Sequence, residues 1–144
     1  MKEICIQDAE IFPLEIRELL RTLYESDFFS HGLLTGSWIF PLYEYAFNIR
    51  YPLKTFDIDF AVNLASLVLL KSVDLAKALN ALGYVTVFDY RSGLRKYSKE
   101  GFEIEFLVQR RGSRDADHIP IKQLNISATP LPFLDLLFQV TLVV

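Results

Sequence analysis

The chain has 144 residues, of which 51% are hydrophobic and 14% aromatic, and a formal charge of -3 at pH 7. That is enough apolar material for one domain with a real core, and it excludes a disordered chain. The acidic balance lacks the basic footprint of nucleic-acid binders, and the single Cys5 excludes an intramolecular disulfide and a cysteine-rich zinc site. A lone thiol fits a reducing compartment. Met1-Lys2-Glu3-Ile4 does not open a signal peptide, and no run approaches the ~20 apolar residues of a membrane span. These features together read as a soluble, cytoplasmic protein without a membrane role.

Residues 11 to 27 form an amphipathic pattern, with Leu14, Leu19, Leu20, Leu23 and Tyr24 at helical spacing and Pro13 suited to the first turn. A short strand, 31 to 35, ends at Gly36-Ser37. Trp38 to Phe47 then reads as a second helix or helical turn, and 48 to 55 as a loop. Asp57 to Val62 alternates like a strand, and 64 to 70 is apolar but of undecided type. Ser72 is the expected N-cap of a helix from Val73 to Leu82, ended by Gly83. Tyr84 to Tyr90 is strand-like. Leu94 to Ser98 and Phe102 to Val108 form a hairpin around Lys99-Glu100-Gly101. The stretch from 110 to 117 is a charged surface loop, and 119 to 126 an edge strand. This order predicts an α/β (α+β) domain with a mixed central sheet flanked by helices. Residues 1–130 are expected to form that domain. Residues 131–144 look like the start of a helix leading into a C-terminal helical region, because the apolar end at Leu142-Val143-Val144 suggests either a buried terminal helix or, the favoured reading, a chain that continues.

Three short segments carry chemistry. In Phe56-Asp57-Ile58-Asp59-Phe60 the strand period puts both carboxylates on one face and Ile58 and Phe60 on the other. Adjacent like charges are unfavourable unless a cation neutralises them, and Mg²⁺ or Mn²⁺ suits carboxylate oxygens. Gly36-Ser37 lies at a strand-to-helix junction. There a glycine admits a close ligand, and free N–H groups with the serine hydroxyl suit a phosphate. In Phe102-Glu103-Ile104-Glu105-Phe106-Leu107 the two glutamates again share a face. A phosphate cradle, a carboxylate pair and an acid on another strand are the parts that nucleotidyl transfer needs.

With Leu33-Leu34-Thr35-Gly36-Ser37, Phe56-Asp57-Ile58-Asp59-Phe60 and Phe102-Glu103-Ile104-Glu105-Phe106-Leu107 in place, the chain resembles the DNA polymerase beta-like nucleotidyltransferase superfamily. Within it, the likeness is to a little-characterised bacterial branch. The resemblance implies that Asp57 and Asp59 bind metal and that Glu105, directly before the apolar strand end, is the third acid and metal ligand in place of the more common aspartate, with Glu103 as the competing candidate. It further implies that Gly36 and Ser37 contact the phosphates of an NTP such as ATP. Lys54 is expected to reach the triphosphate, with Arg50 and Thr55 nearby. Arg95 and Lys96 could add charge, as could Arg110, Arg111 and Arg114, although the simpler reading for all five is a solvated surface. His31 and His118 are expected to be structural.

The implied activity is metal-dependent transfer of a nucleoside monophosphate from an NTP to a hydroxyl on a protein, an RNA or a small molecule. The alternative is a non-catalytic module on the same fold that binds a nucleotide or a protein partner. A nucleotide-sugar glycosyltransferase is the third reading. It explains Asp57-Ile58-Asp59 but leaves Gly36-Ser37 and the glutamate strand without a role.

Overall fold

The structure, a computed structural model, describes residues 5–7, 9–52, 55–69, 71–112 and 117–139. Helix α1, Leu14–Glu25, begins after Pro13 and buries Ile16, Leu19 and Leu23. This spacing of three and four residues makes one stripe on a 3.6-residue helix. Leu14 and Tyr24, expected on that stripe, are exposed because they lie off its axis. Strand β1, Gly32–Thr35, follows a turn of 3-10 helix at Phe28–Ser30. A further 3-10 turn, Gly36–Ile39, leads into α2, Phe40–Phe47, with Pro41 in its first turn. Strand β2, Asp57–Val62, comes next, and the undecided apolar segment after it is 3-10 helix, Leu64–Leu69.

Helix α3 spans Leu75–Ala81, and its N-cap is Asp74 rather than Ser72. The Asp74 carboxylate accepts the Lys77 N–H at 2.9 Å. Just before and at the helix start, the Val73 N–H donates to the Gln123 carbonyl and the Leu75 N–H to the Leu124 carbonyl. Strands β3 (Val85–Phe88), β4 (Arg95–Lys99) and β5 (Phe102–Gln109) continue the chain. The expected hairpin forms between β4 and β5, with Glu100 and Gly101 both at positive φ in its turn.

The expected edge strand from 119 to 126 is instead two strands. Strand β6, Ile119–Ile121, turns back through Asn125 at φ 52° into β7, Ile126–Leu131. Strand β7 then pairs parallel with β5. The edge strand is expected in spite of Pro120, but Pro130 hides β7, since proline usually argues against a paired strand. The expected helix from 131 starts later, as α4, Leu136–Gln139, and residues 140–144 lie outside the described residues.

The strands form one mixed seven-stranded sheet in the order β1-β2-β5-β4-β3, with β7 joining β5 and β6 joining β7. On one face, Ile58, Phe60, Ile104, Phe106 and Val108 pack with α1 and α3 through Ile16, Leu19, Leu23, Leu75 and Leu79. Phe28 meets Phe60 and Phe106 edge-on, with centroids 5.6 and 5.8 Å away. Burying each of these large side chains contributes about 1.5–3 kcal/mol. Among the described residues no helix is long and apolar enough to cross a membrane.

Gly32 is where β1 meets this core most tightly. A Cβ there would lie 2.4 Å from the Phe28 ring and 2.9 Å from the Ala61 carbonyl oxygen. Gly32→Ala is therefore expected to lose roughly 1–3 kcal/mol in urea unfolding, because a rigid ring and a backbone atom must both move. An unchanged midpoint would show that Phe28 does not hold this position.

Candidate active site

Strand β2 presents Asp57 and Asp59 on the face opposite buried Ile58 and Phe60. Strand β5 lies beside it, parallel, and pairs Asp57 with Glu103 and Asp59 with Glu105. Four carboxylates from two strands thus share one surface of the sheet. Glu103 stands opposite Asp57, whereas Glu105 stands opposite Asp59.

Gly36 approaches the same place. Thr35 pairs with Asp59 across β1 and β2, and the chain then leaves the sheet at Gly36 with φ 68°. A side chain at position 36 would meet the Asp59 Oδ2 at 2.5 Å. Glycine is required here both for the left-handed backbone and for the absent Cβ. Ser37 follows directly, half-buried. The helical stretch expected from Trp38 opens as a 3-10 turn at Gly36–Ile39 and becomes α-helix only at Phe40.

The crowding is visible in the electrostatics. Asp59 is pushed above the ordinary aspartate range, first by burial and then by the neighbouring charges of Glu105 and Asp57, while Lys96 acts in the opposite direction. Lys96 comes from β4, where buried Tyr97 pairs with Ile104 and fixes the strand. Its Nζ lies 2.8 Å from Glu103 Oε1 and 3.5 Å from Glu105 Oε2. Burial would lower the Lys96 pKa, but the hydrogen bonds and charges of the two glutamates outweigh it and raise the value. Thr129 on β7 donates its hydroxyl to Glu105 Oε1 at 2.5 Å.

The fold therefore brings Asp57, Asp59, Glu105 and Gly36 together, with Ser37 adjacent and Glu103 included. Lys54 and Arg114 lie outside the described residues. Thr55 accepts the Asp57 N–H through its hydroxyl at 3.2 Å, and Arg50, Arg110 and Arg111 are exposed. The Arg95 N–H donates to Ser127 Oγ. His31 pairs with Ser66 and His118 packs on Gly93, both within other contacts. Thr129 escaped sequence reasoning because its strand carries Pro130. Lys96 was readable: alternation with Tyr97 and the hairpin register put it on the acids' face.

The donor chemistry fits a hard divalent cation, since the free groups are carboxylate oxygens and Asp59 is crowded by other negative charges. In the present side-chain positions, no three His, Cys, Asp or Glu groups among the described residues already form a metal-holding cluster. Glu105 is held by Lys96 and Thr129, whereas Asp57 and Asp59 have no ion pair among the described residues.

Comparison with known proteins gives one match. A family model described as Nucleotidyltransferase covers residues 15–144, which include every strand and all the acids described above. No curated protein and no solved structure matches the chain. With nearly its whole length matched, this chain belongs to the nucleotidyltransferase family.

Proposed function

We propose that this protein transfers a nucleoside monophosphate from an NTP such as ATP to a hydroxyl acceptor, in a metal-dependent reaction in the bacterial cytoplasm. We place it in the DNA polymerase beta-like superfamily. The observation that carries this reading is the strand register that puts Asp57 beside Glu103 and Asp59 beside Glu105, with Gly36 against Asp59.

Asp57 and Asp59 would hold Mg²⁺ or Mn²⁺. When bound, the ion would supply positive charge to the triphosphate oxygens and to the departing pyrophosphate. The backbone at Gly36 and the Ser37 hydroxyl would position the phosphates, aided by Lys54. Glu105 would complete the acidic set or accept the proton of the acceptor hydroxyl. That oxygen would bond to the α-phosphorus as the bond to the β-phosphate oxygen breaks, releasing pyrophosphate. The acceptor could be a protein side chain, an RNA or a small molecule. A partner protein or a C-terminal helical region would be suited to present it.

The test is transfer from each α-labelled NTP, with Mg²⁺, into the protein, RNA and small-molecule fractions of a cell extract. Asp59→Asn should keep its circular dichroism spectrum and lose at least ~10²-fold in rate. Equal labelling by wild type and variant would contradict the assignment.

The same substitution should affect stability in the opposite sense. A carboxylate with a raised folded-state pKa destabilises the fold at pH values above that pKa. The penalty fades as pH falls through it and is gone below the unfolded-state value. In EDTA at pH 7, Asp59→Asn should therefore melt roughly 1–3 °C higher than wild type. The difference should close in acid. An advantage that grew in acid would reverse the inferred direction of the shift.

A further inference from the structure

The acidic face is not compensated evenly. Asp57, Asp59, Glu103 and Glu105 make four carboxylates, and Lys96 reaches only two of them at ion-pair distance, Glu103 and Glu105. The lysine is not a wandering surface chain at its base. It sits between Val87 of β3 and the β5 strand, next to fully buried Tyr97, so its backbone cannot shift without moving the core. The Lys96 side chain is 32% exposed and that of Glu105 24%, so solvent screens the contact only in part. An ammonium has three donors and no lone pair, and therefore cannot ligate a metal. A divalent ion placed between Glu103 and Glu105 would stand within a few ångströms of that charge and be repelled. The Asp57–Asp59 end has no ion pair of this kind among the described residues.

We propose that Lys96 is a built-in counter-cation. Its ammonium fills the Glu103–Glu105 half of the acidic face and limits the nucleotide-free site to one divalent ion, held at Asp57 and Asp59. Thr129 works with it by fixing one oxygen of Glu105 while Lys96 approaches the other. Lys96 is thus a positioning residue that sets how many cations the protein itself binds. This inference rests on the reading of Asp57 and Asp59 as metal ligands.

The test counts Mn²⁺ bound by the full chain without nucleotide, using the electron paramagnetic resonance signal of free Mn²⁺. Wild type should bind one ion and Asp59→Asn none. Lys96→Gln and Lys96→Met, at a partly exposed position, should bind two. Lys96→Arg, which keeps the charge, should bind one, and Lys96→Gln combined with Glu105→Gln should return to one. Making both neutral variants keeps the count independent of the folding of either. Two ions in wild type, or one in every Lys96 variant, would overturn the role of Lys96 while leaving the Asp57–Asp59 metal reading intact. No binding by wild type would remove that metal reading, and this inference with it.

Discussion

Strands β2 and β5 run parallel in a register that aligns two alternating sequences, Asp-Ile-Asp-Phe and Glu-Ile-Glu-Phe. Every feature of the site descends from that alignment. Because side chains alternate, the same pairing that stacks Phe60 on Phe106 at 5.9 Å in the core also sets four carboxylates on the opposite face. A slip of one residue would turn the acids into the core and the aromatics into water, so the apolar side enforces the register that the charged side resists. The repulsion is tolerated because the core beneath it is large. It is not removed: burial first, and then the charges of Glu105 and Asp57, raise the proton affinity of Asp59.

Glu105 occupies a special point in this arrangement. The eight residues of β5 have two successive neighbours along one edge: β4 against Phe102–Ile104 and β7 against Leu107–Gln109. Glu105 lies where one neighbour gives way to the other. Lys96 from β4 and Thr129 from β7 therefore both reach it. Glu103, lying earlier on the strand, meets only the lysine of this pair of contacts. The difference separates the roles of two glutamates that look equivalent by alternation alone.

Much of this was legible in the chain. Strict alternation around Ile58 and Ile104 gave both acidic strands and the face each acid occupies, because a period of two leaves no other choice when one side is apolar. The hairpin turn at Glu100-Gly101 and the break at Gly36 were equally plain. What failed had physical causes. Asp74 displaced Ser72 as the cap because backbone contacts with residues 123 and 124 hold Val73 and Leu75, a long-range constraint that no local pattern carries. Strand β7 was obscured by Pro130, whose missing N–H costs little at a site where only one edge needs a donor. With β7 hidden, Thr129 had no place near Glu105. Alternation also could not say which strands are adjacent, and adjacency is what turns two acidic pairs into one surface.

The central claim is that Asp57 and Asp59 are the cation-holding pair of a surface assembled by the β2–β5 register. The most direct measurement is anomalous diffraction from crystals soaked with Mn²⁺ and a non-hydrolysable NTP. The account predicts a peak about 2.1 Å from oxygens of both Asp57 and Asp59, with the nucleotide phosphates beside Gly36 and Ser37. A peak elsewhere on the protein, or these two carboxylates turned away from a common point with nucleotide bound, would contradict it.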